Sequence, residues 1–281
     1  MPARILSVVF LLFLLSVTTG SLAQTGVATL PWKVQELEKG LVWKQIHTEA
    51  LFGGWQHLNV LEINPKKRKL SLAFTTDSLV RTSDMATRGS ALAAVNAGFF
   101  NMQKGGSVSL LKVDGKIVNV SDAKHVADKS FILGAALVIG PGKRVQVERA
   151  RPDSLYFPRK YSSVLLTGPL LLEQGAEVAL PKTPFNDNRH PRTCVCITDE
   201  RQILLLTADG RNAQALGLTL PELRTLLSEL GCRDAVNLDG GGSTTMWISG
   251  QPDKGVVNMP SDNKLFDHFG ERKVANAVLI H

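Results

Sequence analysis

Aromatic residues are scarce in this chain of 281 residues, which contains eleven Phe, four Trp and two Tyr. The chain is nevertheless basic, with a formal net charge of +7 and a pI near 9.4, and a basic surface favours polyanionic partners. Proteins that bind single-stranded nucleic acid combine Arg and Lys with aromatic stacking platforms. No such stripe occurs here, which argues against a nucleic-acid partner.

Long apolar runs are also absent, except at the N-terminus. Arg4 precedes an apolar run over 5–17, and residues 21–23 form a small-x-small cleavage site, a pattern typical of a secretory signal peptide. The run is shorter than the roughly 20 residues of a membrane-spanning helix, although an uncleaved anchor is the alternative. We therefore expect a signal peptide over 1–23 and a secreted or periplasmic protein without a membrane span.

Cysteine is rare as well, with only Cys194, Cys196 and Cys232. Cys194 and Cys196 share one face of a strand, and one of them can pair with Cys232 in an oxidising compartment. The alternative is three small buried apolar side chains. Cys-x-Cys without a matching second pair argues against a zinc site.

Strand patterns outnumber helix patterns along the chain. Hairpins are predicted over 109–120, 135–150 and 192–210, and the first turns at an Asp-Gly pair. Further strands are expected over 58–64 and 70–76, which a basic turn joins, and over 91–100, 235–238 and 273–280. These patterns predict an α+β fold with twisted, mixed or antiparallel sheets in a single compact domain over 55–281, preceded by a peripheral N-terminal segment over 24–54.

Two helices are predicted. The clearer one begins after Thr219, which forms a capping box with Glu222, and ends at Gly231. Leucines recur at helical spacing between these residues. A shorter helix over 82–90 is expected to be capped by Ser83.

The sequence Asp239-Gly240-Gly241-Gly242 follows the predicted strand 235–238 and places a carboxylate beside bare backbone. Glycine lets a ligand approach closely, and the N–H groups of such a loop can form an anion-binding nest. Hydroxyl donors follow at residues 243–245. A nucleotide phosphate loop is excluded because Gly-Lys-[Ser/Thr] and a following helix are missing. A calcium loop is excluded because the sequence lacks further acidic residues at the required spacing. A turn without a ligand is the remaining alternative.

Other polar residues cluster where predicted strands begin or end. They occur in VNAGFFN (95–101), NRHPRT (188–193), TADGR (207–211) and ERKVANAVLI (271–280). Together with NLDGGGSTTM and the capped helix, this order of motifs resembles the phosphodiester glycosidase family over roughly residues 55–281. The cysteine-rich extensions of the animal enzyme of this family are absent, so the chain looks like a bacterial exported member.

The resemblance implies a hydrolase that cleaves the glycosyl C1–O bond of a sugar 1-phosphodiester and releases sugar and a phosphate monoester. Glycosidases commonly use two carboxylates. Asp239 and Asp209 are the best pair, with Glu271 third. Arg192 is the best phosphate clamp because a guanidinium contacts two oxygens at once, and Asn96 is a candidate for the sugar or the phosphate.

Further substrate contacts are expected from Arg211, Gly240, Gly241, Gly242, Ser243 and Thr244. His190 is either an acid–base group or a surface residue. Arg189 and Arg211 can instead pair with neighbouring acids. Phe99 and Phe100 are expected in the core rather than as a sugar platform.

Two rival functions use the same residues differently. A non-catalytic envelope glycan-binding or exopolysaccharide-assembly protein would use the same pocket without turnover. A metal-dependent phosphodiesterase would break the P–O bond, but the sequence has no His/Asp cluster at two-metal spacing. No cofactor or catalytic metal is expected. A structural divalent cation is compatible with the hard oxygen ligands of Asp239 and the loop carbonyls.

Overall fold

The computed structural model describes residues 26–121 and 132–281. The predicted signal peptide lies outside the described residues. Within these residues, the fold is built from antiparallel sheets and three short α-helices, which are α1 (Thr82–Arg88), α2 (Pro184–Asp187) and α3 (Leu220–Glu229). This confirms the predicted α+β class with few helices in a single compact domain.

The largest sheet has eight strands, each antiparallel to its neighbours. The order of the eight strands across the sheet is β1 (Lys33–Glu38), β2 (Leu41–Thr48), β3 (Gln56–Ile63), β15 (Ile203–Ala208), β14 (Arg192–Thr198), β16 (Cys232–Asn237), β12 (Leu170–Glu173) and β13 (Ala176–Glu177). Strands β1 and β2 continue the sheet at one edge.

Two smaller sheets and a two-stranded ribbon complete the fold. The five-stranded sheet has the order β10 (Val145–Arg149), β9 (Ala135–Ile139), β11 (Ser163–Thr167), β7 (Leu111–Val113) and β8 (Lys116–Asn119). The four-stranded sheet has the order β17 (Met246–Ile248), β6 (Ala93–Asn96), β19 (Asn276–Ile280) and β4 (Leu70–Phe74). The ribbon pairs β18 (Lys273–Val274) with β5 (Val80–Arg81).

The eight-stranded sheet is apolar on both faces. Leu205 and Val236 pack into a core shared with Val95 of the four-stranded sheet and Leu165 of the five-stranded sheet. The opposite face, which includes Leu206, packs against the leucines of α3. Burial on both faces explains why β15 is a continuous apolar run rather than an alternating one.

The cap of α3 forms as predicted. Thr219 Oγ1 accepts a hydrogen bond from the Glu222 N–H, and Glu222 Oε2 accepts one from the Thr219 N–H. The cap predicted for α1 is wrong, because Arg81 is the N-cap residue and makes no side-chain cap. Ser83 instead lies inside the helix and donates to Glu271.

The sheet also explains the cysteines. Cys196 on β14 forms a disulfide with Cys232 on the adjacent strand β16. Cys194 is buried with a free thiol, and burial raises the pKa of that thiol. No helix in the described part of the chain combines the length and apolarity needed to cross a membrane.

Candidate active site

One edge of the eight-stranded sheet gathers most of the predicted site residues. Strand β14 runs antiparallel to both β15 and β16, so the ends of β15 and β16 lie at the same edge as the start of β14. Asp209 follows β15, Asp239 follows β16, and Arg192 begins β14 between them. The sheet topology thus brings together motifs that are far apart in the sequence.

Asp239 is held where this edge meets the four-stranded sheet. Its N–H donates to Ala97 O at 2.8 Å, and Asn96 Nδ2 donates to its carbonyl oxygen at 2.6 Å. Asn96 Oδ1 also accepts from Thr193 Oγ1 at 2.7 Å and from the Thr245 N–H at 3.1 Å. Asn96 is fully buried. Its amide positions Asp239 from behind, which differs from the substrate contact predicted for it.

The half-buried Asp239 carboxyl lines a cavity of about 300 Å³, called here the Asp239 cavity. Within residues 26–121 and 132–281, one acid and one cation face apolar and aromatic walls, the mixture expected of a small-ligand site. Phe99 and Phe100 line this cavity and are only partly buried. Phe100 also packs against a buried core cluster, as predicted, whereas the position of Phe99 differs from the core position predicted for it. The lining residues are Phe99, Phe100, Met102, Val108, Ile132, Leu133, Phe185, Asp239 and Arg272.

The environment of Asp239 changes its acidity. Burial raises the pKa of Asp239 to about 6, although the Ser243 hydroxyl, the Gly240 N–H and the charge of Arg272 oppose the shift. The Gly240 N–H donates to Asp239 Oδ1 at 2.9 Å. A carboxyl group with a pKa near the working pH can exchange a proton or stabilise a developing cation.

Arg272 is the cation of the Asp239 cavity, and the sequence analysis gave it no role. Asp262 holds its guanidinium in a two-point contact, with Nε–Oδ2 at 2.7 Å and Nη2–Oδ1 at 2.6 Å. This fork leaves Nη1 for a ligand. A Cβ atom at Gly242 would collide with both Asp262 and Arg272. Glycine at this position therefore leaves room for the ion pair between these two side chains. Side chains of adjacent residues in an extended chain point in opposite directions. The adjacent positions of Glu271 and Arg272 in the sequence are thus a signal that these two side chains do not line one cavity.

Glu271 lies elsewhere. Its carboxylate accepts hydrogen bonds from the Ser83 N–H at 2.9 Å and from Ser83 Oγ at 2.6 Å, at the start of α1. Burial raises the pKa of Glu271, and these hydrogen bonds oppose the shift. The structure therefore places Glu271 outside the Asp239 cavity, where it satisfies the first turn of α1.

Asp209 is almost fully buried and does not line the Asp239 cavity. Its Oδ2 lies 2.6 Å from His57 Nδ1 and accepts from the Met259 N–H at 2.9 Å. Its Oδ1 accepts from Asn258 Nδ2 at 2.8 Å. Asn258 in turn donates to Thr244 O at 3.1 Å. Asp209 thus supports the glycine loop through Asn258, and sequence reasoning did not single out His57 or Asn258.

Arg192 was predicted to bind phosphate, but its guanidinium contacts protein groups instead. It is 1% exposed, and its guanidinium donates to the carbonyl oxygens of Leu218, Phe185 and Asn188 at 2.9, 2.7 and 3.1 Å. Burial, together with the charge of Arg211, lowers its pKa to about 10. Arg192 stabilises the segment that carries Phe185 into the cavity wall.

Arg211 is exposed, and within the described residues it forms no ion pair. Its φ angle is +64°, a conformation that turns the chain sharply after β15. A Cβ atom added to Gly241 would lie 2.9 Å from Arg211 Nη2, so this cation sits directly beside the glycine loop. Half-buried His190 lies nearby, and its pKa is lowered by burial and then by Arg192 and Arg211. Arg189 instead pairs with Glu222 at 2.5 Å.

The glycine loop, residues 240–244, uses most of its own N–H groups. The Gly241 N–H donates to Pro191 O at 2.8 Å, and those of Ser243 and Thr244 donate to loop carbonyls at 3.2 Å each. The Gly240 N–H is bound to Asp239. These four groups therefore do not form the predicted anion nest, and the loop instead fixes the Asp239 carboxyl. Thr244, the last residue of the loop, is fully buried.

A second cavity of about 1040 Å³ is larger but less suited to chemistry. It shares Leu133 with the Asp239 cavity. Its charged side chains are already paired, since Arg149 contacts Glu173 at 2.6 Å and Asp153 accepts two hydrogen bonds from Ser121. Among residues 26–121 and 132–281, no group of three or more His, Cys, Asp or Glu side chains is arranged to hold a metal ion.

Comparison with known proteins identifies related sequences. A family model for phosphodiester glycosidases matches residues 89–281. Mouse N-acetylglucosamine-1-phosphodiester alpha-N-acetylglucosaminidase is 27% identical over 210 residues, covering 70% of this chain and 39% of the mouse protein. The bovine protein of the same name is 26% identical over 196 residues, covering 67% of this chain and 36% of the bovine protein. The chain therefore spans less than half the length of these two relatives.

Solved structures share the fold. The catalytic domain of zebrafish N-acetylglucosamine-1-phosphodiester alpha-N-acetylglucosaminidase superposes with a TM-score of 0.67 at 19% identity, covering 91% of this chain and 85% of that one. A hypothetical protein from Synechocystis gives a TM-score of 0.65 at 15% identity, covering 89% and 64%. Because the family model spans more than half of the sequence and includes Asp239, Arg272 and the glycine loop, the chain belongs to the phosphodiester glycosidase family.

Proposed function

We propose that the protein is an exported hydrolase that cleaves the C1–O bond of a sugar 1-phosphodiester and releases a free sugar and a phosphate monoester. The observation that carries this proposal is the pairing of Asp239 and Arg272 in one small cavity with aromatic walls. Mouse and bovine relatives are named for the N-acetylglucosamine 1-phosphodiester, and that ester is the substrate class we propose.

Among the residues that the structure describes, one carboxylate lines the cavity, and this is consistent with the proposed substrate. Ordinary glycosidases need a second carboxyl group, because an alcohol leaving group must be protonated. A phosphate monoester leaves as a stable anion and needs little proton donation. Asp239 in its ionised form would stabilise the positive charge that develops at C1, or guide the water that supplies the new C1–O bond. Neither role requires Asp209 or Glu271 in the cavity.

Arg272 would receive the departing phosphate. Its guanidinium is oriented by Asp262 before any ligand arrives, and preorganised charge stabilises a transition state most effectively. Arg211, on the other side of the glycine loop, is a second cation for the same anion. This arrangement supports turnover over simple glycan binding, because a carboxyl group whose pKa burial raises to about 6 lies in the same cavity as an oriented guanidinium.

Export is part of the proposal and has its own support. The disulfide between Cys196 and Cys232 favours an oxidising compartment, as the N-terminal pattern does. A phosphate-bearing glycan of an envelope or capsule would be the natural polymer for a basic protein in that location. We propose a metal-independent reaction, in which a bound divalent cation would have a structural role only.

The decisive experiment is hydrolysis in oxygen-18 water. The purified protein is incubated with the methyl phosphodiester of α-N-acetylglucosamine, and both products are analysed by mass spectrometry. We expect label at the anomeric hydroxyl and none in methyl phosphate. Label in the phosphate would show attack at phosphorus and would overturn the glycosidase proposal.

A further inference from the structure

The end of the eight-stranded sheet opposite to Asp239 is formed by tight turns. Turns 39–40, 64–69 and 199–202 lie side by side there, because β2, β3, β15 and β14 are neighbours in the sheet. The loop 140–144, which joins β9 to β10, lies beside them, and β16 begins at the same end. These segments carry a cluster of cations, called here the basic end. Its members are Lys39, Lys66, Lys67, Arg68, Arg144, Arg201 and Arg233.

Most cations of the basic end have no counter-ion. Arg68 contacts Glu38 at 3.2 Å, and Arg233 has Asp199 and Asp234 at 3.7 and 3.8 Å. The other five cations are exposed, and within residues 26–121 and 132–281 they form no ion pair. This end of the protein therefore presents a surplus of positive charge, which attracts anions.

Part of the basic end is concave. Arg144 and Arg201 line a groove of about 380 Å³ between the eight-stranded and the five-stranded sheets, called here the Arg144 groove. The other charged side chains of the groove are Arg233 and its two partners, Asp199 and Asp234. Arg144 and Arg201 are thus the cations of this groove that remain available for a ligand.

Both available cations stand on ordered turns. The Arg201 N–H donates to Thr198 O at 2.9 Å, and the carbonyl oxygen of Arg144 accepts from the Gly140 N–H at 2.8 Å. Glu200, the remaining acid of these turns, lines a different cavity. Among the described residues, no unpaired carboxylate therefore competes with a ligand inside the Arg144 groove.

The composition of the basic end restricts the kind of ligand. A guanidinium group contacts two phosphate oxygens at once. The described turns contain no aromatic residue on which the bases of a nucleic acid could stack. They also contain no exposed large apolar side chain, the anchor with which proteins insert into a lipid surface. A phosphate-bearing chain without bases fits such a groove best.

We infer that the Arg144 groove and the basic end around it bind a glycan chain that carries repeated phosphates, at a second site apart from the Asp239 cavity. Strand β14 joins the two ends of the sheet with seven residues, which span roughly 23 Å. A small ester cannot reach both sites, whereas a polymer can, and binding at one site raises its effective concentration at the other. This second site goes beyond the proposed function and binds the chain with or without turnover.

The test is calorimetry with a phosphomannan polysaccharide as the probe and unphosphorylated mannan as the neutral polymer. An Asp239→Asn background prevents turnover of the probe. Adding Arg144→Gln and Arg201→Gln together should raise Kd for phosphomannan about tenfold at physiological salt. The slope of log Kd against log salt concentration should become shallower by about 1.5, because each lost phosphate contact removes roughly 0.7–0.9. Arg144→Lys with Arg201→Lys keeps both charges and should retain most of the affinity.

The matched control removes two exposed charges outside the basic end, with Lys33→Gln and Lys254→Gln. It should change Kd less than about twofold, and the melting temperatures of all variants should agree because the four side chains are exposed. Equal losses in the two glutamine pairs, no loss in either, or equal binding of mannan would overturn the inference.

Two further probes distinguish the source of the phosphate. Orthophosphate should bind at least about tenfold more weakly per phosphate than phosphomannan, because one anion cannot use several cations at once. Equal affinity would show a single-anion site and overturn the polymer. Tighter binding to phosphatidylglycerol vesicles, lost in the Arg144→Gln and Arg201→Gln variant, would assign the basic end to a lipid surface and likewise overturn it.

Discussion

Asp209 and Asp239 occupy equivalent positions in the sheet but different environments. Both follow strands that end at the same edge. Asp209 is 1% exposed and is surrounded by His57, Asn258 and the Met259 N–H. Asp239 lines a cavity, and within the described residues its carboxyl accepts one backbone hydrogen bond, from the Gly240 N–H. A carboxylate whose oxygens are fully used supports structure, whereas one with free oxygen lone pairs can act on a ligand.

The comparison is tested most severely by Asp239→Asn. The amide keeps the shape of the side chain but removes the charge, so we expect kcat to fall by about a hundredfold or more. The melting temperature should change little, and circular dichroism with thermal melting provides that control. A variant with near-normal rate would remove Asp239 from the mechanism and abolish the distinction between the two acids.

Asp209→Ala should act on stability. The substitution leaves the donors of His57, Asn258 and Met259 unsatisfied in the interior, so we expect a loss of about 2–4 kcal/mol in the free energy of unfolding, measured by urea denaturation. Asp199→Ala, at an exposed turn, should stay within about 0.5 kcal/mol of the unaltered protein. If Asp209→Ala were as stable as the control while losing activity a hundredfold, Asp209 would be catalytic after all.

Arg272 and Arg192 extend the same comparison to the cations. Arg272→Ala should lower kcat/KM for the methyl phosphodiester about tenfold or more, because the departing phosphate loses its preorganised partner in the transition state. Arg149→Ala is the control, since that residue lies beside the larger cavity and should leave kcat/KM unchanged. Arg192→Ala should instead lower the melting temperature, as three backbone carbonyls lose their donor. The opposite pattern would restore Arg192 as the phosphate clamp.

The pH profile sharpens the comparison further. With the pKa of Asp239 near 6, kcat/KM should fall about tenfold per pH unit below that value if the ionised form is active. Between about pH 4 and pH 6, the Asp239 carboxyl binds more protons in the folded state than in the unfolded state. Its contribution therefore makes the free energy of unfolding fall as pH rises through that window. Asp239→Asn should remove this contribution, and melting curves across pH would detect its persistence.

Chelation is expected to have the smallest effect. Prolonged treatment with EDTA should change kcat/KM by less than about twofold, because the proposed reaction places its charge on Asp239 and Arg272. Activity that disappears and returns with one divalent ion would show that the cation is part of the chemistry and would favour the rival phosphodiesterase.

Local features of this protein followed from the sequence. The capping box of α3, the hairpins over 109–120, 135–150 and 192–210, and the strand before the glycine loop depend on interactions between residues close in the chain. The α+β class followed from the balance of these elements. The family resemblance rested on motif order, which needs no three-dimensional information.

The tertiary structure decided which polar residues share a cavity. Like Asp239, three other predicted site residues lie beside predicted strands, namely Arg192, Asp209 and Glu271. Local sequence patterns do not show which partners each of these side chains will contact. Packing of the 258–272 segment places Asn258 beside Asp209 and Arg272 in the same cavity as Asp239. Glu271 instead accepts hydrogen bonds from Ser83. These contacts join residues up to 188 positions apart. Local propensity cannot specify them, because they depend on how whole sheets pack against one another.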